Sequence, residues 1–388
     1  MATLHTTQQG PGPEAFSDAQ PIPVRGPDGV LHTRSLGSFT CETGGYLPQL
    51  ALAYETWGTL NEDRSNAVLI QHALTGSSHV ARGDSDEDGW WDQLVGPGRT
   101  IDTTRYFAVS INMLGGCYGS TGPATGDPDG VPWGSRFPYV TVRDSVRAEA
   151  LLADALGIGQ WHSVVGGSLG GARALEWALL YPERVTRCAV IACTAASSAE
   201  QIAFAQAQLR SIRLDPGFAG GDYYPGPGPV DGLGLARRIA HITYRSEPEL
   251  EHRFGRAAQG IETPFGSPDP SSRGRYQVES YLDHQADKLV ERFDANSYLL
   301  LTEALMGHDA GRDRGTLQHA LGQASAEFFI AAVDSDRLYY PSQSHVLAAA
   351  LPGEVPVHMI TSPIGHDAFL TEIQQLDERL RDAFYSAP

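Results

Sequence analysis

The sequence predicts an α/β fold with a mainly parallel central sheet and an inserted helical lid. Three observations carry this. Short apolar runs, of the kind buried on both faces of a sheet, alternate with helical segments through the first half of the chain. That rhythm stops near Ala196, gives way to helical segments as far as Gln318, and resumes at Glu327. Between them, Gly166-Gly167-Ser168-Leu169-Gly170 joins a strand pattern to a helix pattern through a sharp turn.

Taken in order, residues 1–35 are polar and rich in Gly and Pro, and are expected to be a mobile N-terminal segment. The core is expected over residues 36–195 and 319–388, with the lid at 196–318. Residues 50–55 read as a strand, and 67–71 and 106–111 as strands buried on both faces. Residues 143–156 read as a helix with Val146, Ala150 and Ala153 along one face. A strand at 161–165, a helix at 172–180 and a strand at 188–193 follow. The helical region is broken at 217–221 and by the Pro-Gly run 225–229. Strands return at 327–333 and 355–360, and a last helix places Ile373, Leu376, Leu380 and Phe384 on one face. There is no internal repeat.

Composition narrows the function classes. The 388 residues carry 46 acidic and 28 basic side chains, a formal charge of -18. Such a surface repels nucleic acid and anionic membranes, so neither is expected as a partner. No apolar run reaches the roughly 18 residues that span a bilayer. The first 20 residues lack the basic and apolar blocks of a signal peptide. Four cysteines are few, and Cys188 and Cys193 on one strand would stand about 16 Å apart, too far for a disulfide. A cytoplasmic protein with reduced thiols is expected. No metal site is expected, since clustered Cys or His-Glu-x-x-His patterns are missing. The only lysine, Lys288, lies on a polar helical stretch and is a poor candidate for covalent chemistry.

Ser168 stands where a strand turns sharply into a helix, the geometry that lifts a serine hydroxyl clear of a sheet. A serine at neutral pH needs a base, and the base needs an orienting acid. In the α/β-hydrolase fold, this elbow serine is followed in the chain by the acid, then the histidine. The strand ending at Val333 runs into Asp334-Ser335-Asp336, and the one ending at Ile360 leads to Gly365-His366-Asp367. His366 is therefore the expected base, and Asp334 and Asp336 both remain candidates for the acid. His358 alternates within a strand, His345 lies in a helix, and His308 and His319 lie in or beside the lid. The oxyanion of acyl transfer needs two N–H donors. The expected pair is the amide of Leu169, directly after the serine, and that of Leu74, in the loop after the third strand. His72 and His79 in that loop are expected to shape a pocket.

These motifs resemble the homoserine O-acetyltransferases of the α/β-hydrolase superfamily. The resemblance rests on His72-Ala-Leu-Thr-Gly76, Gly89-Trp-Trp-Asp92, the run 114–123, Gly166–Gly170 and Gly365-His-Asp-Ala-Phe-Leu370, and it spans about residues 40–385. It implies Ser168 as nucleophile, His366 as base and, of the two aspartates, Asp336 as acid. It further implies that the substrate ammonium meets Asp367 and its carboxylate Arg237, with Tyr244 nearby. Arg238 is expected to be merely solvated. Acetyl-CoA and L-homoserine are the implied substrates, acetyl-CoA as a co-substrate with no separate cofactor, and a homodimer formed through the lid helices is the implied assembly. Related proteins use succinyl-CoA, or accept serine or a deacetylated antibiotic, and an esterase or thioesterase would carry the same triad. Leu169 stands where the family often has Met, a change that leaves the amide in place.

Overall fold

The computed structural model describes residues 28–386, except 266–268 and 270–272. Its centre is an eight-stranded sheet ordered β1-β2-β6-β3-β7-β8-β9-β10. These strands are β1 (His32–Thr40), β2 (Tyr46–Trp57), β3 (Ala67–Gln71), β6 (Phe107–Ile111), β7 (Ser163–Gly167), β8 (Arg187–Ile191), β9 (Glu327–Val333) and β10 (Val357–Ile360). The small pair β4 (Val95–Gly96) and β5 (Ile101–Asp102) stands apart. From β6 to β10 every neighbour is parallel, while β1 and β2 add an antiparallel edge.

The strands are apolar on both faces because both faces are covered. Along β3, Ala67 and Leu69 pack into one apolar cluster and Val68 and Ile70 into another on the opposite side. Helices α1 (Val142–Ala155) and α2 (Leu169–Leu180) cover the first side, with Val146, Ala150 and Ala153 buried. A capping box starts α1: Thr141 accepts from the Asp144 amide, and Asp144 accepts from the Thr141 amide. The closing helix α11 (Ile373–Leu380) and the turn after it bury Ile373, Leu376, Leu380 and Phe384 against the second side.

Between β8 and β9 lie α3 (Ala199–Leu214), α4 (Val230–Tyr244), α5 (Glu247–Arg253), α6 (Gln277–Val290), α7 (Ala295–Met306) and α8 (Leu317–Gly322). No strand occurs among the described residues of this stretch, only isolated bridges. Helices α3 and α4 approach closely at Gly232, where a Cβ would come within 2.6 Å of the Ser211 carbonyl oxygen. Helices α9 (Pro341–Ala350) and α10 (Ala368–Thr371) complete the fold.

Two expectations change. Residues 32–35, expected in the mobile segment, belong to β1, and residues 1–27 lie outside those described. β1 escapes a hydrophobicity reading because it is a half-exposed edge strand whose pairing shifts at Gly37 (φ 78°). The expected boundary at 318/319 falls inside α8.

Candidate active site

Ser168 links β7 to α2 with φ 57° and ψ -125°, a left-handed backbone that L residues rarely adopt. The flanking glycines explain how the turn closes. A Cβ on Gly166 would stand 2.1 Å from the Gly170 carbonyl oxygen, and one on Gly170 would stand 2.1 Å from that of Gln71. The turn presents Oγ at the carboxyl end of the parallel strands, where β9 and β10 also end.

Ser168 Oγ lies 2.9 Å from His366 Nε2, and His366 Nδ1 lies 2.7 Å from Asp336 Oδ2. The other Asp336 oxygen accepts from the Leu338 and Tyr339 amides, both at 2.8 Å. Asp334 instead accepts from the Ser362 amide at 3.0 Å and ties the two loops together. Of the two aspartates, Asp336 is the one that reaches the imidazole. Burial works against a His366 cation, but the charge and hydrogen bond of Asp336 outweigh it, helped by Asp367. The pKa of His366 therefore sits above the ordinary 6.5. Tyr339 stacks on the imidazole at 5.2 Å.

Leu169 is the first residue of α2, so its amide is among those with no partner inside the helix. Leu74 lines the same space as Ser168. The loop carrying it is held from behind. His72 Nε2 accepts from the Met113 amide at 3.1 Å, which leaves Nδ1 to donate to the Ala73 carbonyl at 2.8 Å. Burial, with Arg173 adding to it, drives the His72 pKa down to about 3, so this neutral tautomer is maintained. Arg173, fully buried, is paired with Glu149 and reaches the Ile111 carbonyl at 3.2 Å.

A cavity of about 420 Å³ opens over Ser168 and His366. Arg237, Tyr244, Asp367 and Arg292 line it. Arg237 and Tyr244, seven residues apart on α4, lie together, with the guanidinium 5.6 Å from the ring centroid. Arg237 Nη1 is 3.5 Å from Thr75 Oγ1, and its Nε is buried without a partner. Arg292 donates to the Thr75 carbonyl at 2.8 Å and to the Tyr118 hydroxyl, both uncharged. Asp367 pairs with Arg245 at 3.2 Å. Burial raises the Asp367 pKa even so, against the pull of Arg245, His366 and Arg237. Arg238, expected to be solvated, binds Asp283 on α6 at 2.8 Å. A second, smaller cavity, of about 60 Å³, also reaches Ser168, from between α3 and α7.

Sequence reasoning missed Arg245, Arg292, Tyr339 and the Glu149–Arg173 pair. Arg245 follows Tyr244 directly, so adjacency was a usable signal. Arg292, in a turn before α7, carries none. Among the described residues, no three His, Cys, Asp or Glu side chains gather as a metal ion would need. His79 is held by Glu55 at 2.7 Å and the Glu87 carbonyl at 3.1 Å.

The fold and this serine–histidine–aspartate arrangement define a member of the α/β-hydrolase class, and the model for the alpha/beta hydrolase fold matches residues 66–373. Within that class, the chain is 56% identical to the homoserine O-acetyltransferase of Thermobifida fusca, over 88% of this chain and 90% of that one. The crystal structure of homoserine O-acetyltransferase from Bacillus anthracis superposes with a TM-score of 0.85 at 28% identity, covering 92% and 98% of the two chains. Esterase E22 superposes nearly as well, with a TM-score of 0.83 at 26% identity, covering 92% and 99%. The chain belongs to the homoserine O-acetyltransferase family.

Proposed function

We propose that this protein transfers an acetyl group from acetyl-CoA to the hydroxyl of L-homoserine, the step that leads toward methionine. The observation that carries this is one shared space. Ser168, hydrogen-bonded to His366, opens into a cavity where the Arg237 guanidinium, with no carboxylate on it and its Nε unpartnered, and the Asp367 carboxylate both face an incoming molecule. A simple ester hydrolase has no use for that pair, whereas an α-amino acid carries the two complementary charges.

In the first half-reaction His366 Nε2 takes the Ser168 proton as Oγ bonds to the thioester carbonyl carbon. Asp336 holds the imidazole and balances its charge. The Leu74 and Leu169 amides donate to the oxyanion. The C–S bond breaks, His366 returns the proton to sulfur, and CoA leaves an acetyl-serine. In the second, His366 takes the homoserine hydroxyl proton, that oxygen bonds to the acetyl carbon, and the bond to Ser168 Oγ breaks. The proton goes back to the serine. Arg237 orients the homoserine carboxylate and Asp367 its ammonium.

The helices at 196–318 act as a lid that restricts water, which favours transfer over hydrolysis. We also infer a homodimer through the lid helices. Leu235 and Ile242, seven apart on α4, are 48% and 41% exposed, which makes an apolar stripe on its outer face. A cytoplasmic location is supported by four unpaired cysteines and by a structure whose described residues include no helix long and apolar enough to cross a membrane.

Free thiol release tests the reading, with acetyl-CoA and succinyl-CoA each given homoserine, serine or no acceptor. Rapid release only with acetyl-CoA plus homoserine is expected. Equal release without acceptor would make the protein a thioesterase. A preference for succinyl-CoA or serine would keep the mechanism and change the substrates.

A further inference from the structure

The two cavities that meet at Ser168 share Leu74 and Tyr244, but only the larger is lined by His366. In acyl transfer, the group that leaves the carbonyl carbon and the group that attacks it exchange a proton with the same base. CoA sulfur and acceptor hydroxyl must therefore stand on the His366 side, in the larger cavity. The carbonyl oxygen points at the Leu74 and Leu169 amides. The one substituent left is the acyl chain, and it has to run the other way.

We propose that the smaller cavity, between α3 and α7, is the acyl subsite and takes a short, uncharged acyl chain. This rests on the acyl-serine reading above and adds where the acyl chain goes and what limits it. Phe204 and Ala205 come from α3, Leu305 and Met306 from α7, and Leu338 from the loop after Asp336. The remaining lining side chains are neutral, and none is Lys, Arg or His. Gln201 Nε2 is committed to the Leu338 carbonyl at 2.7 Å. The buried lining atom without a partner is Thr302 Oγ1, a hydroxyl that cannot neutralise an anion. The distal carboxylate of a succinyl chain would lie buried there without a cation, which is strongly disfavoured. An acetyl methyl needs nothing that the cavity lacks. The walls, rather than charge, then set the limit on chain length.

The test uses p-nitrophenyl acetate, propionate, butyrate and hemisuccinate, which acylate the serine whatever the acceptor. They are compared on the wild type, Ala205→Leu and Met306→Ala, with the homoserine KM measured in parallel. The wild type is expected to favour acetate and to react with the hemisuccinate about 100-fold more slowly, and Ala205→Leu to cut the butyrate-to-acetate ratio about tenfold. Met306→Ala should raise that ratio by a similar factor, since one methylene in an apolar pocket changes rates about 10–200-fold. Should Ala205→Leu fail to fold, Met306→Ala still decides. Unchanged acyl ratios together with a raised homoserine KM would assign the smaller cavity to the acceptor and overturn the proposal. So would a hemisuccinate reacting as fast as the acetate. Intact ester ratios with no transfer to homoserine would uphold the subsite and reject homoserine as acceptor.

Discussion

The carboxyl edge of the sheet and the helical lid above it treat polar groups in opposite ways. At the edge, the polar groups around the triad are mostly partnered, though Gln71 Oε1 is not. Asp336 accepts from His366 and two backbone amides, both His72 nitrogens are engaged, and Glu149 takes Gln71, Arg173 and Trp177. In the lid, Arg237 and Arg245 each keep a buried Nε without a partner, although Arg245 is ion-paired with Asp367 and Glu249, and Arg292 donates to a carbonyl and a hydroxyl. A well-partnered network has one geometry, and on the proposed reading it would keep a base and a donor pair in place between turnovers. A buried guanidinium with no carboxylate on it, as at Arg237, is costly in the free protein, and on the proposed reading a substrate carboxylate would relieve that cost. On the proposed reading, the edge would supply chemistry and the lid selection.

Substitutions can break this division, and the largest effect belongs to the edge. Ser168→Ala should lower transfer and ester hydrolysis together by at least about 10⁴-fold, with the fold retained by circular dichroism. Near-normal rates would remove the serine from the mechanism. In the lid, Arg237→Ala should raise the homoserine KM about 10–100-fold and leave p-nitrophenyl acetate hydrolysis unchanged, because the charge-assisted bond is made only to the acceptor. A parallel loss of ester hydrolysis would place Arg237 with the chemistry instead.

A smaller effect tests the seam between the two regions. His366 must be neutral to accept a proton, and its pKa is raised, so acylation should rise with pH through a limb above the ordinary 6.5. Asp367 contributes to that rise, so Asp367→Asn should move the limb to lower pH in acceptor-free ester assays. A limb that does not move would show that Asp367 acts on the substrate alone. Arg238→Ala should do least. Its pair with Asp283 is part-exposed, and such pairs contribute about 0.2–1 kcal/mol, so activity should stay within about twofold and the melting temperature fall slightly. A raised homoserine KM would extend the binding site to Arg238.

Much of the core was legible because its signals are local. β3 and β9 form over the stretches expected for them, since strands buried on both faces read as unbroken apolar runs. The elbow was legible because its turn demands small residues at fixed positions around Ser168. Chain order brought His366 and the aspartate pair into view, but no spacing separates Asp334 from Asp336. That choice depends on which carboxylate the loop after β9 turns toward the imidazole. β1 was missed because an edge strand with one solvated face lacks the apolar run.

By itself the sequence determined the α/β alternation, the sharp serine turn, and the chain order of serine, aspartate pair and histidine. Each is set by backbone geometry and burial within a few residues, so each leaves a periodic or positional trace. Tertiary structure alone decided that Arg245 meets Asp367, that Arg292 reaches Thr75 across 217 positions, and that two cavities meet at one hydroxyl with the base on only one side. Those facts depend on how α3, α4 and α7 lie over the sheet. Packing between distant segments leaves no period in the chain from which it could be read.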